Sequence, residues 1–96
     1  MINEALQSPE FLDQLLAGDR EAFGKLVEIT SPRIYGLSLR MMGNEQDAED
    51  VLQETYLKAF KALPQFEQRS SVTTWLFRIA ANEALMLLRK RKKLGP

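Results

Sequence analysis

Trp75, Arg78, Asn82, Leu85, Arg89 and Lys92 recur at intervals of three and four residues, so on a helix they form one line. An aromatic, an amide, an apolar side chain and three cations in a row suit nucleic acid. The cations would neutralise phosphates, the amide would bond a base edge, and the aromatic and apolar surfaces would accept an unstacked base. Each residue also has a blander use. Trp75 suits a core position at a helix start, Asn82 a solvated surface and Leu85 a peripheral packing contact, while Arg89 to Lys93 would complement the negative end of a helix dipole. A second pattern lies upstream. Ala48, Val51, Leu52, Thr55, Tyr56, Ala59, Phe60 and Leu63 repeat as a helical core stripe, which puts Asp50, Gln53, Glu54 and Leu57 on the far side. A leucine ringed by two carboxylates and a glutamine has the make-up of a docking anchor with a polar rim; the competing reading is a solvated face with one ordinary exposed leucine.

Other chemistry is excluded by residue type. The chain has no histidine and no cysteine, which removes zinc sites, Ser-His-Asp and Cys-His arrangements and any disulfide framework. Asp47, Asp50 and Glu54 share a face, but without a Glu-x-x-His element an acidic cluster beside lysines reads as solvated rather than metal-binding. No catalytic residue, metal or cofactor is expected, and the chain is not read as an enzyme. Thirteen Lys/Arg balance thirteen Asp/Glu, but the zero net charge conceals a division. Residues 1–68 carry a balance of −6 and residues 69–96 a balance of +6, which suggests two partners of opposite character. The N-terminal MINEALQSPE lacks the basic start and apolar stretch of a secretory signal, and no apolar run reaches membrane length. A cytoplasmic location without membrane attachment is expected.

The elements that must position these residues read as all-α, a compact bundle of about four helices in one domain of 96 residues. Ser8-Pro9 looks like an N-cap followed by proline at the first helical position, with Gly18 as the stop, so residues 1–18 hold a short first helix. Asp19 caps the next helix, and Pro32 is expected to interrupt or bend it. Arg33 to Met42, apolar on more than one side, reads as a central helix closed by Gly43-Asn44, and Asn44 suits a cap for the helix from Glu45 to Leu63. A polar loop follows, with a new helix from about Thr74 to Lys92 capped by Ser71 or Thr73. Its apolar arc of Leu76, Phe77, Ile79, Ala80, Ala84, Leu87 and Leu88 is expected to be largely buried.

Two strings carry a family resemblance. Asp47-Ala48-Glu49-Asp50-Val51-Leu52-Gln53-Glu54-Thr55-Tyr56-Leu57-Lys58-Ala59-Phe60 and Thr74-Trp75-Leu76-Phe77-Arg78-Ile79-Ala80-Ala81-Asn82-Glu83-Ala84-Leu85 together resemble region 2 of bacterial sigma factors, specifically the extracytoplasmic-function (ECF) group. The likeness extends from about Asp19 to Lys93. It implies that the segment holding Asp47, Asp50, Gln53, Glu54, Leu57 and Lys58 faces the β′ clamp helices of RNA polymerase core. It further implies that the loop from Phe66 to Thr73, with Arg69, Ser70, Ser71, Val72 and Thr73, joins Asn82 in a pocket for a flipped non-template base of the promoter −10 element. Leu85, Met86 and Arg89 would then lie near the upstream edge of that element. Melting and recognition become one linked equilibrium, because only single-stranded DNA offers the base.

On this reading residues 19–63 are the core and polymerase-binding helices, 64–73 the base-capture loop, 74–93 the DNA-facing helix and 94–96 the start of a linker. The family normally continues into a second helical domain that reads the −35 element. It admits an anti-sigma factor as a further partner, and the free domain is expected to be monomeric. Two departures stand out. Where many members have Phe-Arg-Gly, this chain has Phe66-Glu67-Gln68, which exchanges a cation for an anion and loses a glycine. Leu76 stands where housekeeping sigma factors carry a second tryptophan, which implies weaker intrinsic melting and stricter promoter choice. Two other readings compete: a helix-turn-helix repressor, disfavoured by the long loop around Phe66 where a short Gly-containing turn belongs, and a helical adaptor whose basic tail only solvates.

Overall fold

Local chemistry sets the helix ends in the computed structural model, which describes residues 4–94, with side chains from Leu6 to Lys93. The Ser8 hydroxyl accepts from the Phe11 N–H at 3.1 Å and Pro9 opens α1 (Pro9–Leu16). Gly18 then turns the chain with φ 83°, in the left-handed region that glycine enters without a Cβ clash. The Asp19 carboxylate accepts from Glu21 and Ala22 to start α2 (Arg20–Met42). Gly43, with φ 81°, closes α2, and the Asn44 side chain accepts from the Asp47 N–H at 2.8 Å to begin α3 (Glu45–Ala62). After a 3₁₀ turn at Leu63–Gln65 and a short loop, Ser71 caps α4 (Val72–Leu94) by accepting from the Thr74 N–H at 3.1 Å. A further 3₁₀ turn spans Glu4–Gln7, and no strand occurs among the described residues. The fold class is all-α, as the periodicity predicts. Of the linker start expected at 94–96, Leu94 is still helical, and residues 95 and 96 lie outside the described residues.

Pro32 does not break α2, contrary to expectation. An interior proline costs roughly 3 kcal/mol through its missing N–H and its clash with the preceding turn. Leu26 and Ile34, on either side of it, are fully buried, and each such side chain contributes about 1.5–3 kcal/mol. Burial outweighs the penalty, and Pro32 itself is exposed. The buried row of α2, Ala22, Leu26, Thr30, Ile34 and Ser38, advances strictly by four residues. Each step overshoots one turn by about 40°, so the row winds around the helix and α2 meets α1, α3 and α4 in turn. Polar members of the row find partners in place. The Thr30 hydroxyl bonds the Leu26 carbonyl and lies 2.5 Å from the Tyr56 hydroxyl, and Ser38 donates to the Ile34 carbonyl. Where α3 meets its neighbours, Ala48 and Ala59 are fully buried, as are Ala80 and Ala84 of α4, and such small side chains let helix axes come close.

Two apolar positions depart from expectation. Phe60, read as part of the α3 core stripe, is 46% exposed. The buried row of α3 is narrower, running Ala48, Val51, Thr55 and Ala59, and Phe60 falls about 100° beyond Ala59, covered only edge-on by Phe23 at 5.1 Å. Leu88 is exposed because the C-terminal part of α4 runs along the very start of α3 and beyond most of its cover. The burial expected of the α4 arc therefore holds through Leu87, which is half-buried, and fails at Leu88.

Candidate docking face and nucleic-acid interface

On the outer side of α3, Asp50, Gln53, Glu54 and Leu57 are all exposed, Leu57 by 56%. Gln53 and Leu57 border an apolar groove of about 610 Å³ lined also by Leu52, Tyr56 and Phe60 of α3 and by Phe23, Val27 and Ser31 of α2. The α2 wall was not foreseeable from spacing, because it comes from thirty residues upstream; the one signal was a stripe on α3 too wide for a single neighbour. Asp50 and Glu54 border a second depression of about 310 Å³ between α3 and α4, with Val51, Glu83, Met86, Leu87 and Lys90. Two residues assigned to this face are turned elsewhere. Lys58 donates to Glu83 of α4 at 2.6 Å, which raises its pKa against a smaller opposing effect of burial. Asp47 is buried, its carboxylate bonded by the Asn44 amide at 3.1 Å and by Arg91 at 2.5 Å. The Asn44 hydrogen bond, followed by the contact with Arg91, holds the Asp47 carboxyl below its ordinary range even though desolvation pushes the other way.

At the other end of α4 the loop and helix enclose a cavity of about 240 Å³ lined by Gln65, Phe66, Glu67, Gln68, Arg69, Ser70, Trp75 and Arg78. Phe66 and Trp75 meet at 5.1 Å with planes tilted by 50°. Both are half-buried, so Trp75 is neither wholly core nor wholly surface: one side rests on the bundle and the rest opens to the cavity. Gln68 has φ 60°, the one non-glycine among the described residues in the left-handed region. It stands at the position where the Phe-Arg-Gly pattern of the resemblance has glycine, so this chain makes a left-handed turn there without the residue that makes it easy. Glu67 pairs with Arg69 at 3.0 Å, both well exposed, an interaction of little stabilising value.

The structure thus brings Phe66, Arg69, Ser70, Trp75 and Arg78 together and leaves the remaining candidates in other settings. Val72 and Thr73 belong to the first turn of α4 and are buried, while the Ser71 hydroxyl is occupied in capping. Asn82, Leu85, Met86, Arg89 and Lys92 continue along α4 as an exposed strip, beginning about 10 Å of helix beyond Trp75. Gln65, Glu67 and Gln68 line the cavity without having been singled out; their contiguity with Phe66 was the available signal. A further depression of about 320 Å³ borders the same loop, where Leu6, Ser8, Pro9 and Leu12 face Phe66, Gln68 and Val72. The short N-terminal helix therefore props the loop. Among the described residues no helix is long and apolar enough to cross a membrane.

Comparison with known proteins agrees with this geometry. The Sigma-70 region 2 family matches residues 26–94. The chain is 38% identical over 81 residues to the ECF RNA polymerase sigma factor SigW of Bacillus subtilis, covering 84% of this chain and 43% of that protein. It is 38% identical over 90 residues to the RNA polymerase sigma-H factor of Pseudomonas aeruginosa, covering 94% and 47%. It thus spans about half the length of the curated relatives it matches. Among solved structures it is similar to an engineered region 2 of sigmaE in complex with GTAAAA, with a TM-score of 0.77, 32% identity and 86% of both chains covered. With the family match running from the second turn of α2 to the end of α4, the chain belongs to the Sigma-70 region 2 family and is a region 2 domain of the ECF group.

Proposed function

We propose that this chain acts in bacterial transcription initiation, binding RNA polymerase core through the outer face of α3 and capturing a flipped non-template base of the promoter −10 element at the loop before α4. The observation that carries this is the cavity lined by Phe66, Arg69, Trp75 and Arg78, in a fold shared with a sigmaE region 2 in complex with GTAAAA. Stacking on Phe66 or Trp75 is an interaction that unstacked DNA makes and duplex DNA largely withholds, while Arg78 and the exposed Arg89 and Lys92 pair with the phosphates. Asn82 reads the base edge from the adjoining turn. The role is recognition rather than catalysis, carried out in the cytoplasm. The free domain is monomeric, and an anti-sigma factor is a further partner.

The test has two arms. A pull-down with purified core polymerase, with the β′ clamp hairpin as competitor, should capture the chain; no capture removes the docking role. In fluorescence anisotropy a single-stranded GTAAAA oligonucleotide should bind more tightly than a scrambled one, and Asn82→Ala should narrow that gap. Equal losses on both oligonucleotides would mean that Asn82 does not read bases.

A further inference from the structure

Beyond Ala84 no described residue of α4 is buried, and the last turns of the helix overhang the bundle. Helix ends with so little burial open easily. Among the described residues, the side-chain hydrogen bond and ion pair that fasten this overhang come from Arg91 alone, which reaches back to Asp47. Asp47 is well prepared to receive it. Its N–H donates to the Asn44 side chain, one carboxylate oxygen accepts from the Asn44 amide and the other from Arg91. The arrangement resembles a capping box, except that the acid accepts from the Asn44 side-chain amide rather than from its backbone N–H, and the same acid also binds another helix. The Asp47 side chain is 11% exposed against 54% for Arg91, so the anchor is fixed and the cation is its guest. The angular consequence is direct. Arg89 lies about 200° around the helix from Arg91, so pinning Arg91 to α3 turns Arg89 almost straight outward, with Lys92 at about 100°.

We propose that Asp47 is a positioning residue for the nucleic-acid face: from the N-terminal cap of α3 it holds Arg91 and so aims Arg89 and Lys92 at the DNA backbone. This rests on the reading of α4 as the DNA-facing helix. It assigns Arg91, one of five consecutive cations, a structural partner rather than a phosphate, and it makes the start of the docking helix responsible for the geometry of the DNA helix.

The sign of one substitution separates this from bulk electrostatics. Removing a carboxylate from a DNA-binding domain should strengthen DNA binding or leave it unchanged if only net charge matters. With Asp47 as the positioning group, Asp47→Asn weakens binding to a GTAAAA oligonucleotide extended upstream by about threefold or more. It also makes the salt dependence of log K shallower by about 0.7 for each phosphate that is no longer neutralised. Arg91→Met, which keeps the side-chain stem, weakens binding to the same extent; the double variant is no worse than either alone; Arg91→Lys retains most of the affinity. Glu49→Gln, an exposed carboxylate on the same helix, serves as the charge control and binds as well as the parent or slightly better. Amide hydrogen exchange without DNA is the second readout: Asp47→Asn and Arg91→Met should both speed exchange across residues 85–93 while leaving α3 beyond its first turn protected. Unchanged exchange there, or an Asp47→Asn variant that binds DNA as tightly as Glu49→Gln, overturns the proposal. If the parent protein binds no oligonucleotide, the proposed function fails while the exchange measurement still decides the role of Asp47.

Discussion

Gln68 shows how one residue can keep a geometry its type does not favour. A non-glycine residue in the left-handed region carries about 1–2 kcal/mol of strain, and polar side chains tolerate it better than branched ones. Its persistence at φ 60° implies that the surrounding loop needs this turn to bring Phe66 toward Trp75. Gln68→Gly should be close to neutral, the relieved strain being offset by greater freedom of the unfolded chain, whereas Gln68→Val should lower Tm and oligonucleotide selectivity together. A valine variant that matches the parent in both would show the left-handed turn to be dispensable. Asp47 offers a pH test. Its carboxyl is held below the usual range by Asn44 and Arg91, so the folded state binds that proton more weakly than the unfolded chain. The stabilisation is complete above the unfolded value near pH 4 and is lost as pH falls through the lower folded value. The Tm deficit of Asp47→Asn should therefore be present at neutral pH and shrink on acidification, and a deficit independent of pH would assign it to packing.

The helices were legible to different depths. Caps at Ser8, Asp19 and Asn44 could be placed from residue type, and that of α4 narrowed to Ser71 or Thr73, because a capping bond is local, made within three residues. Pro32 misled because its penalty is also local, whereas the burial of Leu26 and Ile34 that overrides it depends on helices far along the chain. Since the Pro32 ring is exposed, Pro32→Ala should restore the missing backbone bond to Glu28 and stabilise the fold by roughly 1–2 kcal/mol, after allowing for the extra freedom of the unfolded chain. Thermal melts should show Tm higher by several degrees. An unchanged or lower Tm would mean that the proline relieves some strain in α2. Phe60 and Leu88 misled for the converse reason: periodicity finds a stripe but not how far a neighbouring helix extends along it.

Across the whole molecule, the division of charge along the chain becomes a division of surfaces. The acidic, leucine-centred face of α3 and the cationic strip of α4 lie on helices packed together, joined by Lys58–Glu83 and Asp47–Arg91. Those ion pairs take members of each charge cluster out of the binding inventory. The two surfaces should nevertheless be separable by substitution. Leu57→Ala should abolish capture of core polymerase while leaving oligonucleotide affinity and Tm nearly unchanged, since Leu57 is already exposed. Arg89→Ala should flatten the salt dependence of oligonucleotide binding by about 0.7 and leave polymerase capture intact. Loss of both activities in either variant would show the surfaces to be one.

From its sequence alone this protein was determined as all-α, with the caps at Ser8, Asp19 and Asn44, the exposed Leu57 face, the aromatic loop before α4 and the cation line beyond it. These depend on interactions within a turn or two, or on patterns that survive any packing of the same helices. Tertiary structure decided the rest: that Asp47 and Lys58 turn from the outer face of α3 to bind α4, that Val72 and Thr73 point inward, that α2 supplies half of the groove beside Leu57, and that α1 props the loop before α4. Each of these joins residues at least twenty positions apart or is the consequence of such a meeting. Sequence spacing carries the direction in which a side chain leaves its own helix, and only packing decides what stands there to meet it.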